Sequence, residues 1–226
     1  MKLPNGNGQI LINGHKLKVG MFYLKIEFAP LTSTENQIMT IKEVLNRLNE
    51  GNKRFVEDRL ENALADQPRR SELVPSQSPY AIILSCADSR VVPELAFDAG
   101  LGELFTVRVA GNVANTDSIA SIEYAVAHLG SKVIMVLGHQ SCGAVTAAMA
   151  GGDNGYNLNH LLAHVAPAIA SSGSDDVNTV VKTNAQLTAQ ELCTRSSIIN
   201  SAVQNGDVKI VSGYYNLTDG SVEILS

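Results

Sequence analysis

Two short segments of the sequence carry residues that can bind a metal ion. Cys86, Asp88 and Arg90 occupy alternate positions of the first segment, and His139 and Cys142 lie three residues apart in the second. Two thiolates and one imidazole form a donor set that suits Zn²⁺. The spacing of His139 and Cys142 suits a turn that enters a helix and would aim both side chains at one point. Three protein ligands leave a fourth position open, as in catalytic zinc sites, where the metal lowers the pKa of bound water to about 7.

Ordinary core packing is the alternative explanation for the two cysteines. Cysteine is among the residue types that are most often buried, and a His-x-x-Cys pattern by itself indicates a metal site only weakly. Asp88 and Arg90 favour the metal site, because charged side chains close to a buried cysteine are costly unless they are paired. Residue types and positions alone leave both interpretations open.

Short apolar runs precede both segments and alternate with helical patterns. The predicted strands are 80–85, 104–109, 132–137, 208–215 and 221–225. The predicted helices are one that begins after Thr40, with Glu43 in a capping-box position, and those at 118–129, 144–150, 158–169 and 183–205. This order predicts an α/β fold with a mostly parallel central sheet flanked by helices and an antiparallel C-terminal edge. Ligands bind beyond the carboxyl ends of such parallel strands, which is where both segments lie.

The composition excludes several classes of protein. The 226 residues are 45% hydrophobic and 17% charged, with a formal net charge of −5, so the basic excess of a nucleic-acid or anionic-membrane binder is absent. The sequence has no long apolar run that predicts a membrane-spanning helix and no recognisable signal peptide, so the cytoplasm is the expected compartment. Three cysteines are too few, and odd in number, for a disulfide framework, and Cys193 is interpreted as a core thiol.

Residues 1–36 differ from the rest of the chain. Asn-Gly turn signals at 5–8 and 13–14 separate weakly alternating stretches at 9–12 and 18–28, a pattern typical of a hairpin. Two interpretations stay open: a loosely attached, disordered leader, or an ordered arm that contacts a partner subunit. Because the length suits one domain with an appendage, we predict an N-terminal extension over 1–36 and the α/β domain over 37–226.

The two segments and several stretches around them resemble the β-class carbonic anhydrases. The matching motifs are Cys86-Ala-Asp-Ser-Arg90, Gly138-His-x-x-Cys-Gly143, Gly102-Glu-Leu-Phe-x-Val-Arg108 with Ala110-Gly-Asn112, Ser121-Ile-Glu-Tyr-Ala-Val126, and Gly213-Tyr-Tyr with Asp219-Gly220. The helical pattern Leu45-x-x-Leu-x-x-Gly-Asn-x-x-Phe55 is similar to the N-terminal helix of the family. The resemblance therefore runs from about residue 40 to the C-terminus.

The resemblance implies a role for each residue of the metal site. Cys86, His139 and Cys142 would ligate one Zn²⁺ per subunit. Asp88 and Arg90 would form a catalytic ion pair, in which Arg90 holds the carboxylate away from the metal. The pair would keep Asp88 ionised and oriented to accept a proton or a hydrogen bond from zinc-bound water.

The substrate pocket resembles the accessible, plant-like type of this family. Gln77, Phe105 and Tyr124 match residues of that pocket, whereas the bicarbonate-regulated type has a tryptophan at the position of Ile83, and this chain contains no tryptophan. We therefore expect a water-bound, open zinc rather than one capped by an aspartate. The backbone N–H of Gly143, at a helix start, is the expected donor to the oxygens of bicarbonate.

Two further expectations concern CO₂ and the assembly. Val91 and Phe105 would form a small apolar slot for CO₂, although ordinary core packing explains these residues equally well. Because the glutamine and the tyrosine of the plant-like pocket can come from a neighbouring subunit, we expect a homodimer or a higher even-numbered homo-oligomer. Its active sites would lie near the subunit interface.

The implied activity is that of a carbonate dehydratase, a zinc lyase. It would interconvert CO₂ and bicarbonate by attack of zinc-bound hydroxide, and neither nucleic acid nor a membrane is an expected partner. Two alternatives stay open on sequence. One is hydrolysis of carbon disulfide or carbonyl sulfide at the same zinc site, which relatives with this fold perform. The other is a non-catalytic scaffold homologue, against which the complete set of ligands and the Asp88–Arg90 pair argue.

Overall fold

The computed structural model describes residues 9–12, 15–18 and 39–225, and the chain divides into two units after Ile38. In the first unit, strand β1 (Gln9–Ile12) pairs antiparallel with β2 (His15–Lys18). The predicted hairpin joins 9–12 to 18–28, whereas the second strand of the observed pair is His15–Lys18; the Asn-Gly turn lies outside the described residues. The rest of the predicted extension also lies outside them, so its interpretation as a leader or as a partner-contacting arm stays a prediction.

The second unit is built on a five-stranded sheet with the strand order β4-β3-β5-β6-β7. The strands are β3 (Ala81–Ser85), β4 (Leu104–Arg108), β5 (Val133–His139), β6 (Lys209–Tyr215) and β7 (Val222–Ile224). The pairs β3–β4, β3–β5 and β5–β6 are parallel, and β6–β7 is antiparallel. The predicted mostly parallel sheet with an antiparallel C-terminal edge is confirmed.

Helices surround this sheet. They are α1 (Ile41–Val56), α2 (Gln67–Leu73), α3 (Pro93–Ala96), α4 (Thr116–Tyr124), α5 (Gly143–Ala150), α6 (Tyr156–Ala163), α7 (Ala166–Ser172), α8 (Val177–Arg195) and α9 (Ser197–Gln204). A 3₁₀ turn covers Ala110–Asn112, and a π-helical turn over Ala125–Leu129 continues α4. The capping box that the sequence predicts is present, since Thr40 and Glu43 each accept a hydrogen bond from the backbone N–H of the other. Among the described residues, none of the helices is long and apolar enough to cross a membrane.

Two predicted helices are each divided into two. The pattern at 158–169 predicts one helix, but α6 and α7 are separate, because Pro167 in the first turn of α7 has no N–H to continue the hydrogen-bond ladder of α6. The predicted helix 183–205 is also broken. Its first part, α8, begins earlier, where the Asp176 side chain accepts from Thr179 N at 2.8 Å. It ends at Ser196, whose hydroxyl accepts from Ile199 N and so begins α9.

The two central strands, β3 and β5, are buried on both faces, as their continuous apolar runs require. Consecutive residues of β3, such as Ile82 and Ile83, point to opposite faces of the sheet, belong to different hydrophobic clusters and are fully buried. The cluster of Ile83 includes Leu48 of α1, and the cluster of Ile82 includes Ile122 of α4 and Leu192 of α8. The sheet is therefore fixed from both sides, and the loops at the carboxyl ends of β3 and β5 start from rigid positions.

Gly51 allows α1 to pack closely against the chain that follows α3. A methyl group on its Cα would lie 1.9 Å from the Phe97 carbonyl oxygen, which is backbone and cannot rotate away. We expect Gly51→Ala to lower the free energy of unfolding, measured by urea denaturation, by about 1–3 kcal/mol. Asn49→Ala, on the exposed side of the same helix, should change it by no more than about 0.5 kcal/mol. Equal effects of the two substitutions would contradict this packing.

Candidate metal centre

The sheet brings the three predicted metal ligands together. Cys86 directly follows β3, His139 is the last residue of β5, and Cys142 precedes the first residue of α5. Because β3 and β5 are neighbouring parallel strands, their carboxyl ends meet at one edge of the sheet. One ligand atom from each residue lies within 4.8 Å of the other two, and all three side chains are buried. The described residues contain no second group of three or more such ligands this close together.

The geometry and the hydrogen bonding of this cluster fit Zn²⁺. The Sγ atoms of Cys86 and Cys142 are 3.9 Å apart, close to the ~3.8 Å that two Zn–S bonds of about 2.3 Å make at a tetrahedral angle. His139 Nδ1 lies 2.9 Å from the Gln140 carbonyl oxygen, which can only accept, so Nδ1 carries the proton. Nε2 then presents a lone pair, and in the described part of the chain it is a buried atom without a hydrogen-bond partner. A metal ion bound between the three side chains would satisfy that lone pair.

The two thiols need a cation if both are to ionise. A hydrogen bond with Cys142 lowers the pKa of Cys86 well below its ordinary value, although burial opposes the shift. The same interaction with Cys86, together with burial, raises the pKa of Cys142 far above its ordinary value. Without a cation, the pair therefore holds one thiolate at most near neutral pH. Zinc ligation requires two, and the charge of the ion supplies the compensation.

Asp88 faces the same point from the loop after β3 and is held by Arg90. Arg90 Nε and Nη2 donate to the two carboxylate oxygens at 2.9 and 2.8 Å, and the Arg90 backbone N–H donates to Oδ1 at 2.9 Å. These donors keep the pKa of Asp88 well below its usual range, so the carboxylate is ionised. Asp88 Oδ2 lies 3.8 Å from His139 Nε2. The carboxylate is therefore placed beside the ligand cluster while Arg90 occupies both of its oxygens.

The loop from His139 to Cys142 is anchored to two other elements. Ser141 has a left-handed φ of 54°, which is uncommon for a residue other than glycine, and its N–H donates to Asn178 Oδ1 of α8 at 2.9 Å. Gln140 N donates to Tyr215 O at 2.9 Å, and Gln140 Oε1 accepts from Thr218 near the β6–β7 turn. These contacts hold the strained turn that points both side chains inward.

The predicted pocket residues are not brought together within one chain. Val91 is fully buried on the face of the sheet covered by α1, whereas Phe105 packs against the cluster on the opposite face. Phe105 instead lies beside Tyr124, with ring centroids 6.5 Å apart, and Tyr124 is 45% exposed. Gln77 is exposed in the segment before β3. Gly143 is exposed as the first residue of α5, directly after Cys142.

Arg108, which was not among the predicted site residues, supports the loop after β3 from the outside. From the end of β4, its Nε donates to Cys86 O at 3.0 Å and its Nη2 to Asp88 O at 2.6 Å. The guanidinium therefore fixes the spacing between the thiol and the carboxylate. Its partners are 22 and 20 residues away in the chain, so no local pattern indicates this role.

We expect Arg108→Gln to retain zinc and to lower kcat by about 10-fold, because Asp88 is no longer held at one distance from the metal ligands. The kcat of Arg108→Lys should lie between those of the wild type and Arg108→Gln, since a single ammonium lacks the planar fork that spans both carbonyls. The kcat and the metal content are measured on the same preparations, with Arg59→Gln, a substitution of an exposed side chain, as the control. A wild-type kcat for Arg108→Gln would contradict the supporting role.

The comparisons with known proteins agree with this site. The carbonic anhydrase family model matches residues 81–222, which include all three predicted ligands. The chain is similar to carbonic anhydrase 2 of Mycobacterium tuberculosis, with 39% identity over 180 residues that cover 76% of this chain and 87% of that protein. The match to the family model and the match to this relative each cover more than half of the chain.

Solved structures show the same architecture. The β-carbonic anhydrase of Coccomyxa, solved in complex with acetazolamide, superposes with a TM-score of 0.65 and 26% identity, over 80% of this chain and 86% of that one. One of two tetrameric β-carbonic anhydrases from the ascomycete Sordaria macrospora gives a TM-score of 0.65 at 22% identity, over 71% of this chain and 87% of that one. Together with the family model, these similarities show that the chain belongs to the β-class carbonic anhydrase family.

Proposed function

We propose that the protein catalyses the reversible hydration of CO₂ to bicarbonate and a proton. The observation that carries this proposal is the convergence of Cys86, His139 and Cys142 ligand atoms within 4.8 Å, with the Asp88 carboxylate beside them. Three ligands that leave one position open are typical of catalytic zinc. Membership of the β-class carbonic anhydrase family supports the same activity.

The three side chains would hold one Zn²⁺ per chain. When bound, the ion would act as a Lewis acid that lowers the pKa of water to about 7 and so supplies a nucleophile at neutral pH. The residues supply the charge and the orientation. Two thiolates offset the charge of the ion, and the hydrogen bond from His139 Nδ1 to Gln140 O keeps Nε2 directed into the cluster.

Asp88, Arg90 and Gly143 would act on the reacting groups. Asp88 is proposed to accept a proton or a hydrogen bond beside the metal position, since its carboxylate is ionised and lies 3.8 Å from His139 Nε2. Arg90 is proposed to orient that carboxylate through two hydrogen bonds. The N–H of Gly143, an exposed residue at the positive end of α5, is proposed to donate to an oxygen of bicarbonate.

The pocket is proposed to be of the accessible, plant-like type, with an open metal position. The bidentate Asp88–Arg90 pair supports this, because Arg90 engages both carboxylate oxygens. Gln77 and Tyr124 are exposed side chains that a partner subunit can receive. Val91 and Phe105 lie on opposite faces of one sheet, so an apolar CO₂ slot that uses both would need a second subunit.

We therefore propose a homodimer or a larger even-numbered homo-oligomer, with residues 37–226 as the catalytic domain and residues 1–36 as an N-terminal extension. The Sordaria macrospora relatives are tetrameric, which supports assembly. A protein that sediments with the mass of a single chain at micromolar concentration would contradict the assembly.

The cytoplasm is the proposed compartment, because metal-ligating thiolates persist in a reducing environment.

The activity is tested by stopped-flow hydration of CO₂ with a pH indicator. The expected result is zinc-dependent acceleration above the buffer rate, with little or no turnover of carbon disulfide by the same preparation. Turnover of carbon disulfide without hydration of CO₂ would contradict the proposed reaction. A zinc-loaded protein that is inert with both substrates would contradict an enzymatic role.

A further inference from the structure

One buried side chain outside the metal centre reaches it through a single residue. Asn184 in α8 is 2% exposed, and its Nδ2 donates to the carbonyl oxygen of Gly111 at 2.9 Å. The N–H of the same Gly111 donates to Cys86 Sγ at 3.3 Å. Asn184 therefore anchors the residue that donates a hydrogen bond to one of the proposed metal ligands.

The turn that contains Gly111 depends on such an anchor. Gly111 and Asn112 both have left-handed φ values, 72° and 46°, and the second is uncommon for a residue with a side chain. Within the turn, Asn112 N donates to Val109 O at 2.9 Å. The anchor on the Gly111 carbonyl comes from α8, which is 73 residues away in the chain. The direction of the Gly111 N–H is thus set by tertiary structure.

A backbone N–H aimed at a thiolate changes how that thiolate binds a metal. The hydrogen bond fixes the position of the Cys86 sulfur and the direction of its lone pairs, so the ligand is oriented before a metal binds. Burial makes the orientation important, because neither the amide of Asn184 nor the Gly111 carbonyl can turn to solvent. Supporting contacts of this kind typically contribute about 10–100-fold to metal affinity or activity.

We propose that Asn184 is a positioning residue of the metal centre, which holds the Gly111 turn so that its N–H points at the Cys86 sulfur. The role rests on the proposed function, since it takes Cys86 as a metal ligand. Asn184 touches neither substrate nor metal, and its effect reaches the centre through the Gly111 backbone. Its loss should weaken metal binding and alter the electronic environment of the thiolate.

The test compares Asn184→Leu with Thr188→Val. Both replace a buried polar side chain of α8, one helical turn apart, with an apolar one that has the same number of heavy atoms. Zinc affinity is measured by competition with a chromophoric chelator, and the thiolate-to-metal charge-transfer band is recorded on protein loaded with Co²⁺. We expect Asn184→Leu to lose about 10–100-fold in zinc affinity and to shift the band. Thr188→Val should leave both at the wild-type values.

Three other results would contradict the positioning role of Asn184. An unchanged zinc affinity and an unchanged band in Asn184→Leu would overturn the positioning role while leaving the proposed function intact. Equal changes in Asn184→Leu and Thr188→Val would overturn it too, because they would indicate a general loss of structure. Wild-type protein that binds neither Zn²⁺ nor Co²⁺ would overturn the proposed function as well. If Asn184→Leu does not fold, Asn184→Ala, which creates no steric clash, is measured in the same way.

Discussion

His139→Ala should lose its zinc and hydrate CO₂ no faster than the buffer does. His139 Nε2 is a buried nitrogen without a hydrogen-bond partner in the described residues, so the substitution removes the one neutral ligand that points into the cluster. Two thiols then remain 3.9 Å apart, with two coordination positions open instead of one. Cys86→Ser should have the same effect, because a serine hydroxyl does not ionise near neutral pH and is a poor ligand for zinc. The measurements are metal content by atomic emission and the stopped-flow hydration rate.

The third cysteine provides a matched control for this prediction. Cys193 lies in α8, is partly exposed, and is not a member of the ligand cluster. Cys193→Ser should therefore keep one zinc per chain and the wild-type rate. A fully active, zinc-loaded His139→Ala or Cys86→Ser protein would contradict the assignment of the ligands. Loss of zinc in Cys193→Ser would show that cysteine substitution acts through the fold instead.

The second large effect is expected at the Asp88–Arg90 pair. Asp88→Asn and Arg90→Gln should each retain zinc and lower kcat by about 10–100-fold. The first removes the acceptor charge beside the metal position, and the second removes the two guanidinium donors that hold the carboxylate, leaving only the backbone N–H of residue 90. Since the residues act as a unit, the double variant should be little slower than the slower single variant. The measurements are kcat and KM at saturating metal.

Asp98 offers a control with the same chemistry at another place. It pairs with Arg54 Nε at 2.6 Å and accepts from the backbone N–H groups of Glu61 and Asn62. Asp98→Asn should lower the free energy of unfolding and leave the kcat of the folded protein unchanged. A wild-type kcat in Asp88→Asn would contradict its role beside the metal. Additive losses in the double variant would contradict action as a pair.

The sequence predicts which ligand-type side chains meet at the sheet edge, because local patterns place them. Buried strands are short, continuous apolar runs, so hydrophobicity alone places Cys86 and His139 at or just beyond the ends of two strands, although β5 runs two residues further than predicted, to His139. Parallel pairing then requires these ends to meet at one edge of the sheet. The capping box at Thr40 is similarly local, and it is confirmed.

The supporting residues could not be predicted in this way. Arg108, Gly111 and Asn184 make their contacts with partners 20 to 73 residues away, so their roles exist only in the folded chain. The breaks at Pro167 and Ser196 were missed because the apolar periodicity continues across them. One proline without an N–H and one capping serine end those helices while the hydrophobic pattern remains helical.

Titration of metal-free protein with Zn²⁺ is the most direct test that Cys86, His139 and Cys142 hold a catalytic metal. Bound zinc and the rate of CO₂ hydration would be measured on the same samples. The expected result is a rate that rises in proportion to bound zinc and stops rising at one ion per chain. Full activity in the metal-free protein, or no activity at one bound zinc per chain, would contradict a catalytic zinc at this site.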